Sequence, residues 1–331
     1  MRYLEIGGAR LSVIGLGTWQ FYAPEWGYGR SYADDVARAL VTRALDLGIT
    51  LIDTAEIYGL GRSEKILGDA LGDRRDEAFL ATKITPVLPL ASIVEQRARA
   101  SLKRLRTDRI DLYQLHWPNP VVGDAPAMSG MRRLLDTGVV KHAGVSNYNL
   151  ARWQSAERAL GSPVLSNQVR FNLVDRRPLV DLVPYARSEG RVVIAYSPLA
   201  QGLLGGRYDV DNLPSGAIRR ASPLFLPESL ERAAPLIEAL REIAKTHRCT
   251  PAQIALAWVI RHSNVVAIPG ASSVEQLESN AAAAEIELTD GEDEQLSSAA
   301  DRFEPVRGRA AVLGVAESAM GVLRSRLGLA R

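Results

Sequence analysis

Cysteine occurs once in the 331 residues, at Cys249, which excludes an intramolecular disulfide and a Cys-rich zinc site. The four histidines, His116, His142, His247 and His262, stand far apart with no HExxH-type pairing, so metal chemistry is not expected. A surplus of charge is missing too: 40 basic against 38 acidic side chains leave a net +2. That predicts no strong attraction to nucleic acid or to a membrane, and no aromatic-studded basic run suggests a nucleic-acid groove. No apolar run approaches the roughly 20 residues of a membrane span, and residues 1–8 lack the apolar core of a signal peptide. What is left is an ordinary globular composition, 47% hydrophobic and 24% charged, for which a cytoplasmic enzyme is the expectation.

Hydrophobic patterning supplies the architecture. Residues 3–14 alternate around Gly7-Gly8 and read as a short β-hairpin. Buried strands are then expected at 14–18, 49–53, 78–82, 110–115, 139–145, 164–169, 191–195 and 265–268. Helical periodicity fills the intervals at 34–47, 63–71, 92–105, 125–136, 150–160, 178–188, 228–246 and 251–262. Two further helices are expected at 274–284 and 290–300. Eight strands alternating with helices predict a (β/α)8 TIM barrel, an α/β fold, with an N-terminal hairpin and extra C-terminal helices. Residues 1–303 read as one catalytic domain and 304–331 as a tail. In the tail, Val312, Val315, Met320, Leu323 and Leu327 could form an apolar stripe docked on the barrel, oligomer contact being the alternative. The segment 199–227 is long for a loop, and such loops are usually functional or disordered. Gly15-Leu16-Gly17 is no dinucleotide fingerprint, because no third glycine and no helix follow directly.

Chemistry gathers at the C-terminal edge of a parallel barrel, and three strand ends deliver unusual groups there. Leu51-Ile52-Asp53 runs into a Gly-punctuated loop carrying Tyr58. The strand ending near 83 delivers Lys83, and the strand ending at Leu115 delivers His116. An acid and a phenol placed together are candidates for a proton-transfer pair. Any one of these side chains alone more often fills a polar niche or is solvated; the conjunction is what points to a site. The aromatic loop at 19–30, with Trp19, Phe21, Tyr22, Trp26 and Tyr28, either caps the barrel or lines an apolar substrate pocket.

The strings Gly15-Leu-Gly-Thr-Trp19, Asp53-Thr-Ala-Glu-Ile-Tyr-Gly59, Ala81-Thr-Lys83, Leu115-His-Trp-Pro118, Gly144-Val-Ser-Asn147, Asn167-Gln168, Tyr196-Ser-Pro-Leu-Ala-Gln-Gly202 and Ile268-Pro-Gly270 resemble the aldo-keto reductases over roughly residues 3–302. The resemblance implies a barrel that binds NADP(H), with NAD(H) possible, without a Rossmann domain. It implies reduction of a small-molecule aldehyde or ketone to an alcohol, in a monomer or homo-oligomer. The family's tetrad falls on Asp53, Tyr58, Lys83 and His116. Physically, a phenol with pKa about 10 is a weak acid at neutral pH, and the Lys83 ammonium is expected to lower it. Asp53 would hold Lys83, and His116 would orient the carbonyl.

Cofactor contacts implied by the resemblance are Thr18, Trp19, Asp53, Ser146, Asn147, Gln168, Tyr196, Ser197, Pro198, Leu199, Gly202, Leu203, Arg207, Arg220, Gly270, Ser272, Gln276 and Asn280. The substrate pocket would take Trp19, Tyr22, Tyr58, His116 and Trp117. Where many relatives place a basic residue, this chain has Ala271-Ser272-Ser273, so Arg220 is expected to meet the cofactor's 2′-phosphate. The segments 203–208, 220–222 and 270–276 also resemble the branch with potassium-channel β-subunits, which implies the alternative of a cofactor-bound, partner-binding module. A glycosidase-type pair, Asp53 with Glu56, leaves Lys83 and Tyr58 without a task.

Overall fold

The computed structural model describes residues 1–21, 35–214, 216–308 and 311–312. Strands β1 (Tyr3–Ile6) and β2 (Ala9–Ser12) form the antiparallel hairpin, turning at Gly7 and Gly8 with φ of +58° and +79°. Two successive left-handed positions suit a tight primed turn and favour glycine. Ile6, Ala9 and Leu11 pack on Leu51, Leu165 and Val192, which stand where their strands begin. The hairpin therefore plugs the mouth opposite the strand ends that carry the polar groups.

Eight parallel strands follow in sequence order: β3 (Leu16–Gly17), β4 (Leu51–Asp53), β5 (Phe79–Ile84), β6 (Ile110–Leu115), β7 (Val140–Ser146), β8 (Ser166–Arg170), β9 (Val192–Tyr196) and β10 (Val265–Ala267). Each pairs with the next, as the barrel expectation requires. Closure between first and last comes from a parallel bridge, Ile14 to Ala267, with Gly15 N donating to Ala267 O at 2.7 Å and Gly17 N to Pro269 O at 3.1 Å. Added Cβ atoms at Gly15 and Gly17 would stand 2.8 Å from the Leu51 and Ile268 carbonyl oxygens. The Gly-x-Gly is a seam for close backbone approach.

Helices α1 (Ala37–Asp46), α2 (Arg62–Leu71), α3 (Ala91–Leu105), α4 (Ala125–Asp136), α5 (Leu150–Leu160) and α6 (Leu182–Ser188) alternate with the strands, each burying its apolar face. The helix expected at 178–188 is shorter, because a separate turn at Arg177–Leu179 precedes it. The long segment after β9 is structured: a 3-10 turn at Ala200–Gly205, α7 (Ala217–Arg220) and a turn at Pro223–Phe225. Then come α8 (Pro227–His247), α9 (Pro251–Ile260), α10 (Val274–Ala282) and α11 (Asp290–Asp301). Beyond α11, Val306 packs with Leu226 and Ala311, and its N–H donates to Ser229 Oγ at 3.0 Å. Val315, Met320, Leu323 and Leu327 lie outside the described residues, as do Tyr22, Trp26 and Tyr28.

Candidate active site

Asp53 closes β4, and Tyr58 opens the 3-10 turn Tyr58–Gly61 just beyond it. The loop between them is fastened to β5 by backbone bonds, Thr54 N to Ala81 O at 2.9 Å and Glu56 N to Lys83 O at 3.2 Å. Lys83 is wholly buried, and its three donors are all used. Nζ lies 2.5 Å from Asp53 Oδ1, 2.8 Å from Thr54 O and 3.3 Å from Tyr58 Oη. The other Asp53 oxygen accepts from Gln168 Nε2 at 2.7 Å. A buried ammonium needs such partners to stay charged. Burial pushes the Lys83 pKa down, but Asp53 and Tyr58 together hold it above its ordinary value.

Tyr58 differs from the sequence expectation in one respect. Burial raises the pKa of its phenol, and the Lys83 ammonium offsets that only in part, so the net direction is upward. Lys83 does favour the phenolate, as argued from the sequence, but desolvation is the larger effect. His116 follows β6, held by its N–H to Ile84 O at 2.9 Å, and its ring meets Tyr58 edge-on at 5.8 Å. Burial, with Lys83 nearby, lowers its pKa to about 3. The imidazole is therefore neutral and carries one N–H donor. Its Nδ1 is buried and has no partner.

Asp53, Tyr58 and His116 line a cavity of about 550 Å³, within the range of small-ligand sites. Trp19 and Trp117 line it beside Tyr58 and His116, and Ser146, Asn147, Gln168 and Tyr196 border it from the strand ends. Ser197, Pro198, Leu199 and Gly202 follow after β9, and Gly270 and Gln276 also line it. Asn147, Ser197, Ala200, Gln201 and Gly202 all have φ between +48° and +99°. Left-handed backbone at non-glycine residues concentrates at working sites. Tyr196 Oη donates to Asn147 Oδ1 at 3.0 Å, fixing that ring at the rim.

Other residues expected in the site stand behind or away from the lining. Thr18 Oγ1 donates to Asp53 O at 2.9 Å and supports the strand end. Asn280 Nδ2 donates to Gly270 O at 3.3 Å, and the Ser272 N–H and hydroxyl go to Gln276 Oε1. Leu203 is buried in the core, and Arg207 is exposed beside the Tyr208 ring. Arg220 donates Nε to Pro214 O at 3.0 Å and does not line the cavity, whereas its neighbour Arg219 does, with Nε on Gln201 O at 2.8 Å.

Sequence reasoning chose Arg220 from the loop arginines Arg207, Arg219 and Arg220, and missed Gln20, Ile57, Arg170 and Gln201; Arg219 and these four are on the cavity wall. Arg170 was recoverable, since it lies two residues after Gln168 on β8 and a strand returns to the same face every second residue. Gln20 had no such signal: its Nε2 donates to Ala271 O at 2.9 Å, across the space a Gly270 Cβ would fill. Among the described residues no group of three or more His, Cys, Asp or Glu could hold a metal ion, and no helix is long and apolar enough to cross a membrane.

The chain matches the Aldo/keto reductase family over residues 13–301. It is 57% identical over 307 residues to the uncharacterized oxidoreductase Rv2298 of Mycobacterium tuberculosis (strain ATCC 25618 / H37Rv), covering 92% of this chain and 95% of that protein. It is 35% identical to the methylglyoxal reductase YeaE of Escherichia coli (strain K12), covering 86% of this chain and 90% of that one. Among solved structures, an aldo-keto reductase from Klebsiella pneumoniae in complex with NADPH superposes with a TM-score of 0.74 at 30% identity, covering 93% and 97% of the two chains.

Proposed function

Since the chain belongs to the Aldo/keto reductase family of oxidoreductases, we propose that it reduces an aldehyde or ketone to the alcohol with NADPH, Tyr58 acting as general acid. The observation that carries this reading is the buried Asp53–Lys83 pair in contact with Tyr58, with neutral His116 beside it, on the wall of the cavity. The cavity fits the cofactor. Polar Ser146, Asn147 and Gln168 with the Tyr196 ring stand toward the tetrad, and Arg219 and Gln276 also border it. Gln201 presents a buried Oε1 with no partner.

NADPH, when bound, supplies the hydride. Ser146, Asn147 and Gln168 would hold its carboxamide, and Tyr196 would stack on its ring. Arg219, on the cavity wall, would meet the 2′-phosphate. A guanidinium matches phosphate oxygens with paired donors, and a one-residue step along α7 turns Arg220 away toward Pro214.

Carbonyl reduction leaves negative charge on the substrate oxygen, which needs a proton. Tyr58 Oη supplies it, and the phenolate left behind faces the Lys83 ammonium at 3.3 Å. Asp53 keeps that ammonium charged and in place. His116 donates its single N–H to the carbonyl oxygen and orients it. Trp19 and Trp117 line the cavity beside Tyr58 and His116.

The similarity to YeaE makes methylglyoxal a natural first member of a carbonyl panel. The test is NADPH consumption against matched aliphatic, aromatic and sugar-derived aldehydes and ketones, with the alcohol product identified. Turnover of at least one class is expected. Tight NADPH binding with no turnover on any of them would overturn the reading in favour of a partner-binding module.

A further inference from the structure

Glu56 lies between Asp53 and Tyr58 in sequence, yet its carboxylate turns away from the cavity. Its side chain is 9% exposed and both oxygens are engaged. Oε2 accepts from Arg97 Nε at 2.9 Å, and Oε1 accepts from Arg97 Nη2 and from the backbone N–H of Thr85. Arg97, on α3, also donates Nη1 to Thr85 O at 2.6 Å. Thr85 follows β5 directly, two residues after Lys83. One bidentate ion pair thus ties three things together: the loop that carries Tyr58, the end of the strand that carries Lys83, and α3.

Apart from the backbone bonds of Thr54 and Glu56 to β5, the loop has few polar ties. Of residues 55–61 only Glu56 and Tyr58 have polar side chains. Beyond Tyr58 the backbone passes through three left-handed residues, Gly59, Leu60 and Gly61, with φ of 55°, 54° and 86°, and Leu60 is 92% exposed. Of these three only Gly61 is buried. The Lys83–Tyr58 contact, at 3.3 Å, is already at the long end of a hydrogen bond. A small outward drift of the loop would break it.

We propose that the Glu56–Arg97 pair is a positioning device for the proton donor, setting the Tyr58 hydroxyl against Lys83 and the substrate. The inference rests on the reading of Tyr58 as general acid. It assigns neither residue a contact with substrate, and neither lines the cavity. A guanidinium in two-point contact fixes direction as well as distance, which a lysine in its place could not do.

The experiment compares wild type with Glu56→Gln, Arg97→Met, Arg97→Lys and the double variant Glu56→Gln/Arg97→Met. Steady-state kinetics are measured on one neutral aldehyde, with NADPH affinity by titration and thermal unfolding alongside. Misplacing a reacting group by about 1 Å can cost about 100-fold. Each single variant is expected to lose roughly 10- to 100-fold in kcat, with aldehyde KM and NADPH affinity within about twofold of wild type. The double variant should be no worse than the poorer single one, because partners in one interaction are not additive. Arg97→Lys should recover part of the loss, and added guanidinium should restore part of the activity of Arg97→Met. If Glu56→Gln does not fold, the two Arg97 variants and the guanidinium rescue carry the test alone. Wild-type kcat in the folded variants overturns the inference, as does a loss shared equally by kcat, KM and NADPH affinity. Tyr58→Phe separates the two failures: if it retains turnover, the reading of Tyr58 is wrong; if it is inactive while the Arg97 variants are normal, only the positioning role falls.

Discussion

His116 is a pH sensor that this site has silenced. With a pKa near 3 it stays neutral wherever an ordinary histidine would titrate. The profile of kcat/KM against pH should accordingly be flat between about pH 5 and 8. On the proposed mechanism the limb that remains belongs to Tyr58, whose pKa lies above its ordinary value of 10.0 because burial outweighs the pull of Lys83. As general acid Tyr58 must be protonated, so activity is expected below that pKa and to fall as pH rises through it. Lys83→Met deletes the lowering influence while keeping the burial, and should move the limb to still higher pH, read from the same profile. A limb near pH 6.5 that disappears in His116→Asn would contradict this electrostatic picture. That Asp53, Lys83 and His116 come to one edge was legible in the sequence, because each stands at or just past the end of an apolar strand and strand direction fixes that edge; Tyr58 comes with them in the loop that leaves Asp53. Arg219 was not, since nothing in Arg219-Arg220 says which guanidinium a four-residue helix will turn inward.

At the level of elements, two helices meet where one lacks a side chain. An added Cβ at Gly68, on α2, would stand 2.6 Å from the backbone C and O of Leu105, the last residue of α3. Gly68→Ala gains about 1 kcal/mol of helix propensity, but overpacking against a backbone typically costs about 1–3 kcal/mol. Net destabilisation is expected, read as a lower midpoint of thermal or denaturant unfolding; a higher midpoint would mean that α3 gives way easily. Long apolar periods made the regular helices legible, α4 and α5 to the residue. The segment after β9 was not, because its form depends on left-handed backbone at Ser197, Ala200 and Gln201, residues with no intrinsic preference for it. Only the surrounding fold can impose such conformations.

For the whole molecule, the hairpin closes one mouth of the barrel and leaves the other to the cavity, so the proposed binding and chemistry share one face. Alternation alone made that architecture legible, but not which side chains border the cavity opposite the tetrad. Ligand binding to the folded state alone raises its stability, so NADPH should raise the melting temperature. Arg219→Ala should reduce the shift given by NADPH far more than that given by NADH, since only the former carries the 2′-phosphate. Equal losses would instead place Arg219 on the shared pyrophosphate. The central claim is that the Tyr58 hydroxyl delivers the proton, and replacing it with hydrogen tests that most directly. In Tyr58→Phe, with NADPH affinity retained by titration, turnover of the best aldehyde should fall about 100-fold or more, the scale of general acid catalysis; turnover within a few-fold of wild type would contradict the account.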